Sequence, residues 1–388
     1  MYYSFEFDMP TRVLFGEGKL NELHDEKLPG TKALIVTTNG TSVKKYGYLD
    51  RLQKELDLAG IPYELFPEIR PNPTRENVMD GAAKAKETGC DFVVALGGGS
   101  VMDCSKCIAL MMTNPGDIWD YAHCGAGGKQ TPEKKAAPLV CITTSAGTAS
   151  EVDCGGVISN DATNEKTAIV YPTLQPALSV VDSELMMSVP PKFTAYQGMD
   201  AFFHASETVI NRFCHPMAEM FALKTIEYVA KYLPRAVADG SDREARAYMA
   251  LANSYAGYYM MCNSEHTMEH TMGSFHPDLP HGAGLIMISH AYYDFFAQRE
   301  ACEEQMLKMA RAMGRYHQKS GKAFVEALDQ LLADVGCADL KMSDYGITEE
   351  ELELYPAKCR TVSGGIPNSD PLILSNEDML SIWKASWK

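Results

Sequence analysis

The spacing of hydrophobic positions changes near the middle of the chain. Up to about residue 185, short apolar, largely β-branched runs recur: "ALIVT" (33–37), "YELF" (63–66), "FVVALGGG" (92–99), "LVCITT" (139–144) and "ALSVVD" (177–182). Amphipathic segments separate them and predict helices over 42–58, 74–88 and 100–112. Strands alternating with helices predict crossover units and a mostly parallel sheet, an α/β Rossmann-like arrangement. Beyond "SVPPKF" (188–193) such runs nearly vanish. Segments such as "MAEMFALKTIEYVAKYL" and "EEQMLKMARAMGRYH" instead carry apolar residues three and four apart, the helical period. With Pro190 and Pro191 as punctuation, the pattern predicts an α/β domain over 1–185 and an all-helical domain over 186–388.

Composition narrows the function classes. A chain of 388 residues has room for two domains with a core each. Apolar residues at 46% and charged residues at 22% are ordinary globular usage. A formal charge of −16 would repel nucleic acid and anionic membrane surfaces, which leaves small-molecule chemistry. No apolar stretch approaches the ~18 residues that span a bilayer. The start "MYYSFEFDMP" lacks the features of a signal peptide, so the expected location is cytoplasmic. Eleven cysteines, mostly inside apolar segments, predict reduced thiols. The single CxxC, Cys104 and Cys107, falls in a predicted helix with no second pair, and reads as core packing.

The first chemical signal is "VVALGGGSVMDCSKCIAL", where three glycines and a serine join an apolar strand to a helix. Glycines allow a phosphate to approach the backbone, and the amides at a helix start carry partial positive charge. The stretch is neither GxGxxG nor a P-loop. "CGAGGKQT" (124–131) also fails the P-loop spacing, because His123 stands where the first glycine belongs and Gln130 follows the lysine. A tight turn without a ligand is the alternative.

The second signal is histidine: seven of ten fall between 204 and 290, four of them in "HTMEHTMGSFHPDLPH" (266–281). His266 and His270, four apart, share a helical face, as do Asp200 and His204 in "GMDAFFHASE". Two such pairs with His281, which precedes a glycine, predict one divalent ion held by one carboxylate and three imidazoles. That set suits Fe(II), Zn(II) or Mn(II), and with no cysteine expected near it a thiolate-rich structural zinc site is disfavoured. "HTMEH" also matches HxxEH, a metallopeptidase pattern. A peptidase would leave the glycine loop and the α/β half without a role.

Six motifs occur in order: "FGEGKLNEL", "NPT" (72–74), "GGGSVMDCSK", "TTSAGTASE" (143–151), "GMDAFFHASE" and "PHGAGLIM". On these the chain resembles the iron-containing, or group III, alcohol dehydrogenases over nearly its whole length. The resemblance implies a dinucleotide-binding amino-terminal domain and a helical metal-binding domain, an architecture shared with dehydroquinate synthase. It further implies hydride transfer between NAD(P)(H) and a small primary alcohol or aldehyde, in a homodimer. The implied metal ligands are Asp200, His204, His266 and His281, holding Fe(II), with zinc or manganese as alternatives. His270 would stand beside the metal as a proton relay. The pyrophosphate would lie against Gly97, Gly98, Gly99 and Ser100 with Asp103 nearby, and Asn72, Thr143, Thr144, Thr148 and Lys166 would line the rest of the dinucleotide.

Two departures from the family pattern bear on the site. His276 in "FHPDLPHG" is a second histidine that could replace His281, which is kept for its Pro-His-Gly context. Relatives that prefer NAD often carry an aspartate after the first strand. Here Thr38, Asn39, Gly40, Thr41 and Ser42 are followed by Lys44 and Lys45, hydroxyl and ammonium donors for a 2′-phosphate, so NADP(H) is expected over NAD(H). Phe202, Phe203 and Phe275 are candidates for a narrow apolar pocket or for core packing. The competing functions are a metal- and nucleotide-dependent lyase of the same architecture and a non-catalytic protein that binds both ligands.

Overall fold

The computed structural model describes residues 4–362 and 368–387. They form two compact units, one spanning Asp8–Ser188 and the other running from Val189 onward together with residues 4–7.

The first unit contains β1 (Arg12–Phe15), β2 (Ala33–Thr38), α1 (Ser42–Lys45), α2 (Tyr48–Leu58), β3 (Tyr63–Ile69), α3 (Arg75–Thr88), β4 (Phe92–Gly97), α4 (Gly99–Thr113), β5 (Leu139–Thr143), β6 (Gly155–Asn160), β7 (Glu165–Val170) and β8 (Leu178–Val181). Six strands make an all-parallel sheet in the order β1-β8-β5-β4-β2-β3. Helices cover both faces, which is why the central strands are apolar without alternation. Leu34, Val36, Val93, Ala95 and Cys141 pack on Val78 of α3 and Ile108 of α4. Their neighbours Ala33, Ile35, Val94, Leu96 and Ile142 pack on Leu49, Leu52 and Leu56 of α2. β6 and β7 form a separate antiparallel hairpin. The helix expected over 42–58 is two helices, because Gly47 between them takes a left-handed conformation, φ 73°.

The second unit is helical throughout its described residues: α5 (Pro191–Ile210), α6 (Pro216–Ala238), α7 (Arg243–Gly257), α8 (Ser264–Phe275), α9 (His281–Ala297), α10 (Glu303–Ala312), α11 (Lys322–Asp334), α12 (Tyr355–Val362) and α13 (Asn376–Ser386). Pro191 occupies the first position of α5, where a missing N–H costs nothing. From Thr194 nearly every residue of α5 is buried, so this helix is the axis around which the others pack. Residues 4–7 side with this unit, not with the α/β domain expected over 1–185. Phe5 stacks on His215 at 4.0 Å, Phe7 approaches Phe221 and Tyr259 at 6.1 Å, and the Tyr259 hydroxyl donates to Glu6 O. No described helix is long and apolar enough to cross a membrane.

Candidate metal and dinucleotide sites

Three helices bring the donor side chains together. Asp200, His204 and Glu207 follow one another at four and three residues along α5, His266, Glu269 and His270 lie on α8, and His281 is the first residue of α9. The start of α9 lies directly on the backbone of α5: a Cβ added to Gly282 would come 2.3 Å from the Tyr196 carbonyl oxygen. Glycine after His281 is therefore required by the approach that delivers the imidazole.

Asp200 Oδ1 is the focus. It lies 3.5 Å from His266 Nε2, 3.5 Å from His281 Nε2 and 3.6 Å from His204 Nδ1. Both Asp200 Oδ1 and His266 Nε2 are buried without a hydrogen-bond partner among the described residues. Asp200, His266 and His281 each present a ligand atom within 4.8 Å of the other two.

Behind these donors stand two buried carboxylates. His266 Nδ1 meets Glu207, and His281 Nδ1 meets Glu269. Glu207 Oε1 also accepts from the backbone N–H of Asn263 at 3.0 Å and of His266 at 3.2 Å. A carboxylate that accepts Nδ1–H leaves Nε2 as the lone-pair donor. Burial opposes ionisation of Asp200, but the charge of the surrounding imidazoles, His204 and His281 foremost, outweighs it and holds the carboxyl well below the ordinary range. Burial likewise opposes charge on His266 and His281, yet Glu207 and Glu269 raise both imidazoles above their usual value. The cluster thus draws positive charge, which a divalent cation supplies through the nitrogen and oxygen donors it prefers.

The other predicted residues take distinct places. His204 stacks on His266 at 4.2 Å and joins a second donor group with His266 and Cys262. His270 groups with Glu269 and His281, its ring 5.3 Å from that of His281. His276 caps the end of α8 with Nε2 3.3 Å from Glu351 Oε1, and joins no donor group among the described residues. With Glu269 bound to His281, the HxxEH pattern does not assemble a peptidase centre around His266 and His270. Phe202 and Phe203 are fully buried, Phe202 stacked on Phe324 at 6.0 Å, and belong to the core, while the half-buried Phe275 packs on Tyr355. The expectation of no cysteine near the cluster fails at Cys262. Sequence reasoning also missed Glu207, although an acid seven residues after Asp200 in an apolar helix was a usable signal, and Glu269, which looked like part of a peptidase motif.

In the first unit, the connections from β2 and β4 leave toward opposite sides of the sheet, so the carboxyl ends of these paired strands form a topological switch point, the usual ligand crevice of such sheets. Asn39, Thr41 and Ser42 follow β2. Thr41 precedes α1, and Asn39 N–H donates to Ile69 O at 2.9 Å. Gly97, Gly98, Gly99 and Ser100 follow β4, with Gly98 at the head of α4 and no side chain capping it. Added Cβ atoms would lie 2.6 Å from Val101 Cγ2 at Gly97, 3.1 Å from Ser145 Oγ at Gly98 and 2.3 Å from Thr148 Cγ2 at Gly99. Thr143 pairs with Gly97 in register, and Thr144 N–H donates to Gly97 O at 3.0 Å. The glycine turn and the 143–148 segment therefore form one cradle suited to a phosphate.

Asp103 braces that cradle. Its Oδ1 accepts from Ser150 Oγ at 2.5 Å and its Oδ2 from Val157 N–H at 3.0 Å. Burial and the nearby Asp153 push it up to about 6, against the pull of Lys106. Lys106, fully buried, donates to Ser150 Oγ, Asp153 Oδ1 and Gly155 O at 2.7–2.9 Å. Asn72 adopts a left-handed φ of 52°, which its side chain tolerates. The adjacent Pro73 O accepts from Ser159 N–H at 2.9 Å, and Ser159 pairs with Lys166, so hairpin and loop bring Asn72 and Lys166 to one segment. Cys104 and Cys107 are fully buried core thiols whose acidity burial suppresses.

The profile of the iron-containing alcohol dehydrogenases matches residues 10–183, and that of the carboxy-terminal domain of the Fe-containing family matches residues 194–387. The chain is 34% identical to the 1,3-propanediol dehydrogenase of Klebsiella pneumoniae over the whole of both chains. It is 34% identical to the NAD-dependent methanol dehydrogenase of Bacillus methanolicus, covering 97% of this chain and 98% of that one. Among solved structures, an archaeal halo-thermophilic alcohol dehydrogenase from a Red Sea brine pool superposes with a TM-score of 0.94 at 32% identity, covering all of both chains.

Proposed function

Since the chain belongs to the iron-containing alcohol dehydrogenase family, we propose that it interconverts small primary alcohols and aldehydes with NADP(H), using a divalent cation held by Asp200, His204, His266 and His281. Family membership makes it an oxidoreductase with small-molecule substrates, a metal and a nicotinamide cofactor. The observation that carries the reading is Asp200 Oδ1, buried and without a hydrogen-bond partner among the described residues, facing three imidazole nitrogens at 3.5–3.6 Å.

When bound, the cation polarises the substrate oxygen and the nicotinamide takes or gives the hydride. The chain's own residues hold and orient. Glu207 and Glu269 fix the imidazoles of His266 and His281 with Nε2 toward Asp200. His270, next to Glu269 and 5.3 Å from the His281 ring, relays the alcohol proton toward solvent. Gly97, Gly98, Gly99 and Ser100 receive the pyrophosphate at the start of α4, beside Thr143, Thr144 and Thr148, with Asn72 and Lys166 at the far loop. Asp103 serves by bracing the cradle.

NADP(H) is favoured because no carboxylate follows β2, while Thr41, Ser42, Lys44 and Lys45 supply donors for a 2′-phosphate. Iron is the first assignment for the cation, and a cytoplasmic homodimer is the expected form.

The test is metal analysis of the purified protein paired with NADPH-linked reduction of short aldehydes before and after chelation. Activity is expected to vanish with the metal and return with Fe(II). Full turnover by metal-free protein overturns the reading, and NADH rates equal to NADPH rates at equal low concentration overturn the cofactor assignment.

A further inference from the structure

His204, Cys262 and His266 form a donor triplet whose sulfur the reading above leaves without a role. One ligand atom of each lies within 4.8 Å of the other two. Because Nδ1 of His266 is engaged by Glu207, the atom it offers is Nε2, which is buried and has no hydrogen-bond partner among the described residues. The turn that carries the sulfur is fixed on the same helix as His204. Met261 N–H donates to Thr208 Oγ1 at 3.0 Å, Asn263 N–H to Glu207 Oε1 at 3.0 Å, and Thr208 Oγ1 in turn donates to His204 O at 2.8 Å. Cys262 is only partly buried, so an ion and a departing proton have a route to water.

We propose that this triplet is a second cation position, selective for a thiophilic divalent ion, zinc foremost, with Cys262 as the thiolate donor. It rests on the Asp200-centred reading, because the two positions share His204 and His266. On binding, the Cys262 thiol releases its proton to solvent as the sulfur–metal bond forms, and the two imidazoles donate lone pairs, with no electron transferred. Ideal zinc bonds of roughly 2.3 Å to sulfur and 2.0 Å to nitrogen place tetrahedral donors about 3.5 Å apart. Donors now within 4.8 Å close that gap by side-chain rotation of about 1 Å. One imidazole cannot serve two ions, so the positions are alternatives. Sulfur draws zinc and cobalt, whereas manganese stays with Asp200 and His281. Zinc held at Cys262 therefore lies off the Asp200 centre, which makes the thiol a brake on zinc-loaded protein.

The test uses chelated full-length protein titrated with Co(II), comparing wild type, Cys262→Ser and, as a control in the first unit, Cys124→Ser. The wild type and the control are expected to show a near-ultraviolet thiolate-to-cobalt charge-transfer band that Cys262→Ser lacks, while all three keep the visible d–d bands of imidazole-bound cobalt. In competition assays Cys262→Ser should weaken zinc binding at least about tenfold and change manganese binding by no more than about twofold. Visible bands without charge transfer in the wild type, a charge-transfer band that persists in Cys262→Ser, or unchanged zinc affinity each overturns the proposal and leaves the Asp200 centre standing. Failure to take up cobalt at all overturns both.

Discussion

Glu207→Gln removes one negative charge from behind His266 and leaves the side-chain shape intact. In the native protein Glu207 is fully buried, with Oε1 accepting two backbone N–H groups and Oε2 facing His266 Nδ1. Glutamine can keep its carbonyl oxygen on the backbone donors, but its amide then donates to Nδ1 and turns the imidazole to the tautomer whose Nε2 carries the proton. That tautomer does not ligate. Loss of such a carboxylate partner typically costs 10–100-fold in metal affinity, about 1.4–2.7 kcal/mol. The same exchange at Glu269 should fall at the low end, because the His281 side chain is 24% exposed and water can accept its Nδ1–H, whereas His266 is 4% exposed. Alanine is a poorer choice, since it strands two buried N–H groups at about 1–3 kcal/mol each and confuses folding with binding. Competition against a chelator of known affinity, with circular dichroism to verify the fold, measures the effect. Wild-type affinity in Glu207→Gln, or a larger loss in Glu269→Gln, refutes the argument.

Three further outcomes follow from the packing. Gly99→Ala drives a methyl to 2.3 Å from Thr148 Cγ2 and forces the two halves of the cradle apart. Dinucleotide affinity should fall about tenfold or more at unchanged metal content, read by fluorescence titration, for an overpacking cost of about 1–3 kcal/mol. Asp370, buried against Ser264 and Tyr292, is pushed up to about 7, chiefly by burial. Its folded form holds a proton that the unfolded chain gives up nearer 3.8, so stability should decline as pH rises from about 4 to about 7, and Asp370→Asn should flatten that decline in thermal melts. Phe202→Ala should cost about 3–5 kcal/mol in chemical denaturation and leave the preferred aldehyde unchanged. A changed preference at native stability would instead put Phe202 in contact with substrate.

The inner strands β2, β4, β5 and β8 were legible because a parallel strand covered on both faces is a largely apolar run, and the edge strand β3 showed only the short run "YELF". β1 was not, since "RVLF" lies at the sheet edge with both ends exposed. The β6–β7 hairpin was hidden for a related reason: "GGVISN" and "EKTAIV" mix polar with apolar residues without a long apolar run, and they pair outside the main sheet. Spacing of four on a helix revealed Asp200 with His204 and His266 with His270, because that regularity is itself the geometry of one helical face. It is silent about partners contributed by other elements. Glu207 reads as an ordinary helical acid until the start of α8 is laid across it, and Cys262 lies before α8 begins, so its distance of four residues from His266 carried no helical meaning.

Buried acids in the helical unit divide by what they face, and the division marks the cation centre without reference to any relative. Glu265 receives the Tyr293 hydroxyl at 2.8 Å, and burial together with Glu207 raises it well above the ordinary carboxyl value. Asp370 receives the Tyr292 and Ser264 hydroxyls and is raised as well. Hydroxyl donors tolerate a neutral acid, so these groups shed the cost of buried charge by keeping a proton. Asp200 is buried as deeply yet shifts the other way, because its neighbours are imidazoles. A protein that only needed to fill this space with polar atoms could have used the neutral arrangement throughout. Keeping one carboxylate ionised among nitrogen donors, with two further carboxylates orienting those donors, makes sense when the place is meant for a positive ion.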